Sequence, residues 1–228
     1  MVRVLRALSQ NIPSTGRVLD FGAFFGNFAI ACRQAGYQVD AADFYKANER
    51  AFARAVQKLA AQHIGIIDFD HAGADLRSVP SETYDAVLCM GVVEHIPHTP
   101  RPMFESINRV LKPGGVLILD TPNLAYIYKR KQLMRGESVF PPIAFQYYAD
   151  IPFTGHHREY TQPEIEWMLH EIGHEILTIE TFWYSVYSIE YLQNQDLENY
   201  RLMEKDPSCR ELILSVSRKQ PSVQIGMV

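Results

Sequence analysis

The 228-residue sequence predicts an α/β domain, a mostly parallel sheet with helices on both faces. Short apolar runs alternate with helical patterns from residue 17 onward. The runs are continuously apolar, as strands are when both faces of a sheet are covered. The first of them, "VLDFGAFFGNFA" (18–29), breaks at a glycine-bearing turn straight into a helical pattern.

"RVLDFG" is a buried strand, and "NFAIACRQAG" is the helix after it, ending near Gly36. "YQVDAADF" is a second strand. "ANERAFARAVQKLAAQ" is a second helix, with Phe52, Ala55, Val56 and Leu59 on one stripe. "HIGIIDFD" and "YDAVLCMG" supply two more strands. "PMFESINRVL" puts Met103, Phe104, Ile107, Val110 and Leu111 on one helical face, and "KPGG" breaks it. "VLILDTPN" is a fifth strand. "TQPE" signals a capping box of Thr161 and Glu164, opening a helix whose buried stripe is Ile165, Met168, Leu169 and Ile172. "HEILTIETFWY" and "CRELILSVSRK" are two final strands with a helical stretch between them.

Between the fifth strand and the capped helix the rhythm is lost. Residues 124–155 carry paired prolines (Pro141, Pro142) and many aromatics, among them Tyr126, Tyr128, Phe140, Phe145, Tyr147, Tyr148 and Phe153. A connection that long is usually functional or disordered, and this aromatic content argues against disorder. The expectation is one domain, 1–228, with 124–155 inserted as a lid over the carboxyl ends of the strands.

Composition narrows the partners. The chain is 47% hydrophobic and 21% charged with a net charge of −4, so no basic field recruits nucleic acid. No apolar run approaches the roughly 20 residues that span a bilayer. The start, "MVRVLRALSQNIPSTG", lacks the apolar core of a signal peptide. Cys32, Cys89 and Cys209 are scattered, as reduced thiols of a cytoplasmic protein are, rather than as a disulfide frame or zinc site.

A dinucleotide grip asks for G-x-G-x-x-G. Counted from Gly22, its second and third glycine positions hold Phe24 and Asn27, so a pyrophosphate is not the expected ligand. A nucleoside without phosphates needs only a tight turn, a close helix approach and polar partners. Asp43 ends the second strand about 20 residues beyond the turn, where a carboxylate accepts ribose hydroxyls.

At these residues the sequence resembles the class I S-adenosylmethionine-dependent methyltransferases. The family's first motif, Asp-x-Gly-x-Gly-x-Gly, is matched by Asp20, Gly22 and Gly26, with Phe24 at its middle glycine. Asp43 matches the ribose-binding acid and Phe44 the adenine cover. "YDAVLCMGVVEHIPHTPRPMFESINRVLKPGGVLILDTPN" resembles the next stretch almost end to end, and the likeness resumes at "GHHREYTQPEIEWMLHEIG". The resemblance implies a Rossmann-like sheet of seven strands in the order 3-2-1-4-5-7-6, with the last strand antiparallel. It implies S-adenosylmethionine held by Asp20, Gly22, Ala23, Phe24, Gly26, Asp43, Phe44, Phe69, Met90 and Gly91, with Asp68 or Asp70 receiving the adenine amino group.

"TGHHREYT" sits between the lid and the capped helix, at the mouth of such a site. Methyl transfer is an in-line displacement, so positioning supplies much of its rate. A hydroxyl acceptor must also lose its proton, which suits a histidine. His156 or His157 is the expected base, and His95 beside Glu94 is a further catalytic candidate. Arg158, Tyr160, Tyr147 and Tyr148 are candidate acceptor contacts; the opposing reading makes the segment a brace and the tyrosines lid packing. "EHIPH" has no third spaced ligand in the sequence and is not read as a metal site. The basic run "YKRKQLMRG" grips an anionic substrate or is a solvated face.

The segment resembles methyltransferases of sugars, polysaccharides and natural products, which implies O-methylation of a hydroxyl on such an acceptor. N- or C-methylation of a small molecule is an alternative, as is a non-catalytic binding protein in which Phe24 obstructs the turn. The partners expected are a small-molecule or glycan acceptor and no nucleic acid, with a homodimer left open.

Overall fold

The computed structural model describes residues 1–69, 75–184 and 186–221. Helix α1 (Val2–Asn11) precedes the first strand and buries Val4, Ala7 and Leu8. The strands are β1 (Arg17–Phe21), β2 (Gln38–Asp43), β3 (Gly65–Asp68), β4 (Tyr84–Met90), β5 (Leu111–Pro122), β6 (His174–Phe182) and β7 (Leu212–Lys219). Helices α2 (Asn27–Gln34), α3 (Glu49–Ala61) and α4 (Arg101–Val110) connect the first five strands; α5 (Ile127–Met134) and α6 (Ile143–Tyr147) lie in the insertion. Helix α7 (Gln162–Glu171) leads into β6, and α8 (Val186–Gln195) and α9 (Leu197–Lys205) separate β6 from β7.

The strand order is β3-β2-β1-β4-β5-β7-β6. Strands β1 to β5 pair in parallel, and β7 runs antiparallel to both β5 and β6. This is the Rossmann-like arrangement that the motifs implied. The chain winds outward from β1 to β3, then crosses back to β4. That reversal opens a crevice at the carboxyl ends of β1 and β4, where such sheets bind ligands.

Alternate strand residues feed two cores. Leu19, Phe21, Val87 and Leu117 pack with Phe104, Ile107 and Leu169 on one face. Val18, Ala41, Leu88 and Ile118 pack with Leu8, Ile30 and Leu59 on the other. Strands buried on both sides explain the unbroken apolar runs. Thr161 and Glu164 do form the capping box of α7, with the Thr161 N–H donating to the Glu164 carboxylate at 2.8 Å.

The structure shifts two details. Leu111 is not on the α4 face: its backbone is extended (φ −71°, ψ 135°) and it pairs with Tyr84 as the first residue of β5. Residues 124–155 divide in two. Helix α5 docks on α8 and α9, where Tyr126, Ile127 and Tyr128 pack against Leu192, Met203 and Cys209, and the Tyr128 hydroxyl donates to Asp196. Residues 140–152 stand exposed, with Phe145 70% and Tyr148 81% accessible. Among the described residues, no helix is long and apolar enough to cross a membrane.

Candidate active site

The turn after β1 is built by its dihedrals. Gly22 lies at φ +74°, and a Cβ there would stand 2.3 Å from Val92 Cγ2. Gly26 lies at φ +75°, and a Cβ there would stand 2.5 Å from Leu59 Cδ2. Both positions therefore require glycine twice over, by conformation and by space. The Gly22 and Ala23 N–H groups donate to Ala42 O at 2.9 and 3.1 Å, and Gly26 N–H closes the turn on Ala23 O at 2.7 Å. Phe24 holds a left-handed φ of 49°, unusual for a bulky residue. Its N–H donates to Asp43 Oδ2 at 2.6 Å, while its ring packs on Phe25 and meets Phe52 edge-on, 5.7 Å away.

These turns border a cavity of about 670 Å³ lined by Gly22, Phe24, Phe25, Asp43, Phe44, Ala51, Phe52, Phe69, Met90, Gly91, Val92, His95, Ile96 and Thr154. Its chemistry fits the nucleoside end of S-adenosylmethionine. Phe44, Phe69 and Ile96 offer flat and apolar walls for a base, and the buried Asp43 offers a carboxylate to a ribose diol. The backbone at Gly22 and Gly91 carries no side chain into that space.

Several expected cofactor residues act from behind the wall. Asp20 is buried and accepts from Ala29 N–H at 2.8 Å, tying the first turn of α2 to β1. Burial pushes its carboxyl up to about 7, the Ala29 hydrogen bond opposes this, and Asp43 adds to it. Ala23 and Gly26 shape the turn without lining the cavity. Asp68 faces a second groove, where it accepts from Lys46 N–H at 2.7 Å. Asp70 lies outside the described residues.

At the carboxyl end of β4 the structure gathers Glu94, His95 and His156. A ligand atom from each lies within 4.8 Å of the others, and the imidazoles meet edge to face, 4.7 Å between centroids. His95 Nδ1 lies 2.9 Å from Thr154 O, an acceptor only, so that nitrogen carries the proton. His156 Nδ1 donates to Glu159 Oε1 at 3.0 Å, and Glu159 is ion-paired with Lys129. Burial, then His95, then Lys129 lower the His156 pKa to about 4. Glu94 accepts from the Thr121 hydroxyl at 3.0 Å, and burial raises its carboxyl to about 7. Burial also lowers Lys129 to about 8.

The remaining residues of this segment fasten it. His157 donates its backbone N–H to Glu94 O at 2.7 Å, and its Nε2 donates to Phe153 O at 3.0 Å. Arg158 lies over the Tyr160 ring and pairs with Glu164 at 2.5 Å. Tyr160 is buried, bridged by its backbone to Asn123. Tyr147 ends α6 and Tyr148 follows it; both are exposed and neither lines the cavity. Sequence reasoning missed Phe52, Val92, Ile96 and Thr154 as cavity walls, and Lys129 and Glu159 behind His156. Val92 and Ile96 flank Glu94 and His95 and were within reach; the Lys129–Glu159 pair joins distant segments and left no local signal.

The chain matches the family described as "Methyltransferase domain" over residues 1–179. It is 34% identical over 120 residues to a ubiquinone biosynthesis O-methyltransferase of Cereibacter sphaeroides, covering 52% of this chain and 46% of that relative. The chain thus spans about half the length of the curated relatives it matches. Among solved structures, an S-adenosylmethionine-dependent methyltransferase from Mesorhizobium loti is similar, with TM-score 0.61, 17% identity, and coverage of 94% of this chain and 96% of that one. So is the 1,6-didemethyltoxoflavin-N1-methyltransferase of Burkholderia thailandensis, with S-adenosylhomocysteine bound (TM-score 0.57, 15% identity, 96% and 76% covered). At such identities these two establish the fold alone. Family match and strand order agree: the chain belongs to the methyltransferase-domain family, and the chemistry of its cavity fits S-adenosylmethionine.

Proposed function

We propose that the chain is an O-methyltransferase, acting on a hydroxyl of a sugar, a glycan or another small hydroxylated molecule. One observation carries the reading: His95 borders the cavity while its Nδ1 is held by Thr154 O, beside His156 and Glu94. When bound, S-adenosylmethionine supplies an electrophilic methyl group on a sulfonium. Gly22 and Asp43 hold its nucleoside, and Phe44 and Phe69 wall in the base. With both Nδ1 atoms committed as donors, Nε2 is the nitrogen that His95 and His156 each have left to accept the proton of an acceptor hydroxyl. His157, whose Nε2 is engaged by Phe153 O, serves as a brace. The curated relatives, ubiquinone biosynthesis O-methyltransferases, support oxygen as the acceptor atom.

The test is transfer from methyl-labelled cofactor to a panel of sugars, nucleotide sugars, phenols and amines, with the product located by mass spectrometry and NMR. Label should enter hydroxyl acceptors. His95→Ala and His156→Ala should each slow turnover roughly 10²–10⁴-fold. Transfer confined to nitrogen or carbon overturns the reading in favour of the N- or C-methyltransferase. Cofactor binding without transfer to any acceptor favours the non-catalytic protein.

A further inference from the structure

Lys129 and Glu159 form a buried ion pair to which methyl transfer by itself gives no task. They stand 30 residues apart in the chain, with 16% and 5% of their side-chain surface exposed. The fold brings them together where the chain enters and leaves the insertion. Asn123 bridges Tyr160 there, and Leu124 N–H donates to Tyr160 O at 2.9 Å. Lys129 rides on α5, and both of its neighbours hold that helix in place. The Tyr128 hydroxyl donates to Asp196, and the Arg130 guanidinium donates to Ala125 O at 2.6 Å and to Ser208 Oγ at 3.2 Å.

Each carboxylate oxygen of Glu159 has a partner: Oε2 takes the Lys129 ammonium, and Oε1 faces His156 Nδ1 at 3.0 Å. An ionised carboxylate only accepts, so the ring opposite it carries its proton on Nδ1. The ring is neutral at pH 7, its pKa held down to about 4 by burial, then by His95 and Lys129. Nε2 is therefore bare. That outcome depends on the ammonium. A carboxylate so enclosed, with no counter-ion, takes up a proton or draws one onto the imidazole. A neutral carboxyl donates its O–H to Nδ1 and moves the ring proton to Nε2, and an imidazolium carries protons on both nitrogens. Either way Nε2 can no longer accept. The other groups facing His156 are Glu94, an acid, and His95, a second imidazole, so among the described residues neither replaces Lys129.

We propose that Lys129 is a positioning residue for the transfer: by keeping Glu159 ionised it locks His156 in one orientation and one tautomer, with Nε2 left to accept the proton of the acceptor hydroxyl. Lys129 does not border the cavity, and it acts through two other side chains. The use made of His156 rests on the O-methyltransferase reading, whereas the state of its ring does not. The insertion is thereby divided by task. Its docked half, through α5, holds a reactive ring, while residues 140–152 stand exposed.

The test reads the His156 ring by nitrogen-15 NMR of the full chain with S-adenosylhomocysteine added, His156→Ala assigning the signals. Wild type should show a proton on Nδ1 and a bare Nε2, and Lys129→Met should show a proton on Nε2. The double variant, Lys129→Met with Glu159→Gln, buries no unpaired charge and serves if Lys129→Met alone does not fold. Its amide donates as readily as it accepts, so both tautomers should appear. The wild-type ring state retained in either folded variant overturns the proposal. In transfer to a hydroxyl acceptor, Lys129→Met should lose about 10²-fold in kcat, the scale of a misplaced catalytic proton. In the His156→Ala background the same substitution should change kcat by less than about 3-fold, because the ring through which it acts is gone. An undiminished loss in that background overturns the proposal and leaves the O-methyltransferase reading intact. The expected ring states with transfer confined to nitrogen or carbon do the reverse: the positioning by Lys129 stands and that reading falls.

Discussion

The Phe24 N–H donates to Asp43 Oδ2 at 2.6 Å, so the residue at the motif's middle glycine is pinned by the acid that ends β2. The other oxygen of Asp43 accepts from Phe44 N–H at 2.8 Å. One carboxylate thereby fixes two turns and borders the cofactor cavity. Asp43→Ala should weaken S-adenosylhomocysteine binding by about 1.5–3 kcal/mol, the scale of lost charge-assisted hydrogen bonds. Calorimetry on the folded variant checks this, and unchanged affinity would remove Asp43 from the ribose site.

Phe24 pays for its left-handed backbone with contacts to Phe25 and Phe52. Glycine there relieves about 1–2 kcal/mol of backbone strain but gives up aromatic packing worth about 0.5–1.5 kcal/mol and gains chain entropy on unfolding. Phe24→Gly should therefore change stability by less than about 1 kcal/mol in urea unfolding. Its cofactor affinity should remain within about 5-fold of wild type. A much larger loss would make the ring a wall that the cofactor leans on.

Gly22 is the opposite case. Ala there meets Val92 Cγ2 and keeps a φ of +74°, so Gly22→Ala should cost about 2–4 kcal/mol. Adding Val92→Ala removes the collision but not the dihedral strain, so the double variant should recover part of the loss. Denaturant midpoints of the single and double variants measure this. Full recovery would mean that crowding alone demands the glycine.

His174 gives a pH signature remote from the cavity. It is buried between Ser217 and Asn108, and burial lowers its imidazole to about 4 from an ordinary 6.5, Lys219 adding to the effect. The folded value lies below the unfolded one, so the unfolded chain binds the extra proton first. The stability due to the neutral ring is full above pH 6.5 and is lost as the pH falls toward 4. The advantage of wild type over His174→Gln should shrink by about 2–3 kcal/mol between pH 7 and 4. Parallel stability curves for the two proteins would show that His174 does not titrate in this window.

The alternation of strands and helices and several residues of the cavity wall were legible because their signals are local; the strand order came with the family resemblance. Gly22, Asp43, Phe44, Phe69, Met90 and Gly91 lie at strand ends, where continuous apolar runs stop and a sheet of this winding opens. The division of labour among His95, His156 and His157 was not legible. It depends on what each ring touches: Thr154 O holds His95, Glu159 holds His156 and Phe153 O holds His157, partners that no local spacing announces. His156, the third member of the Glu94 cluster, comes from beyond the insertion, so no spacing within "EHIPH" announces it. Helix α1 carries a signal that was there to read, since Val4, Leu5, Ala7 and Leu8 recur at helical spacing in "VRVLRALSQN".

Three hydrogen bonds join the turn after β4 to the chain leaving the insertion: the His95 ring to Thr154 O, and the His157 and Arg158 N–H groups to Glu94 O. Thr154 thus borders the pocket while its carbonyl clamps the His95 ring, and His157 clamps the backbone of Glu94 beside it. A bulky molecule that enters by lifting this segment releases His95 and carries His156 away from Glu94. On the proposed O-methyltransferase reading, acceptor size would then be selected twice, once by the width of the entrance and again by the displacement of these groups in any complex that forces it open.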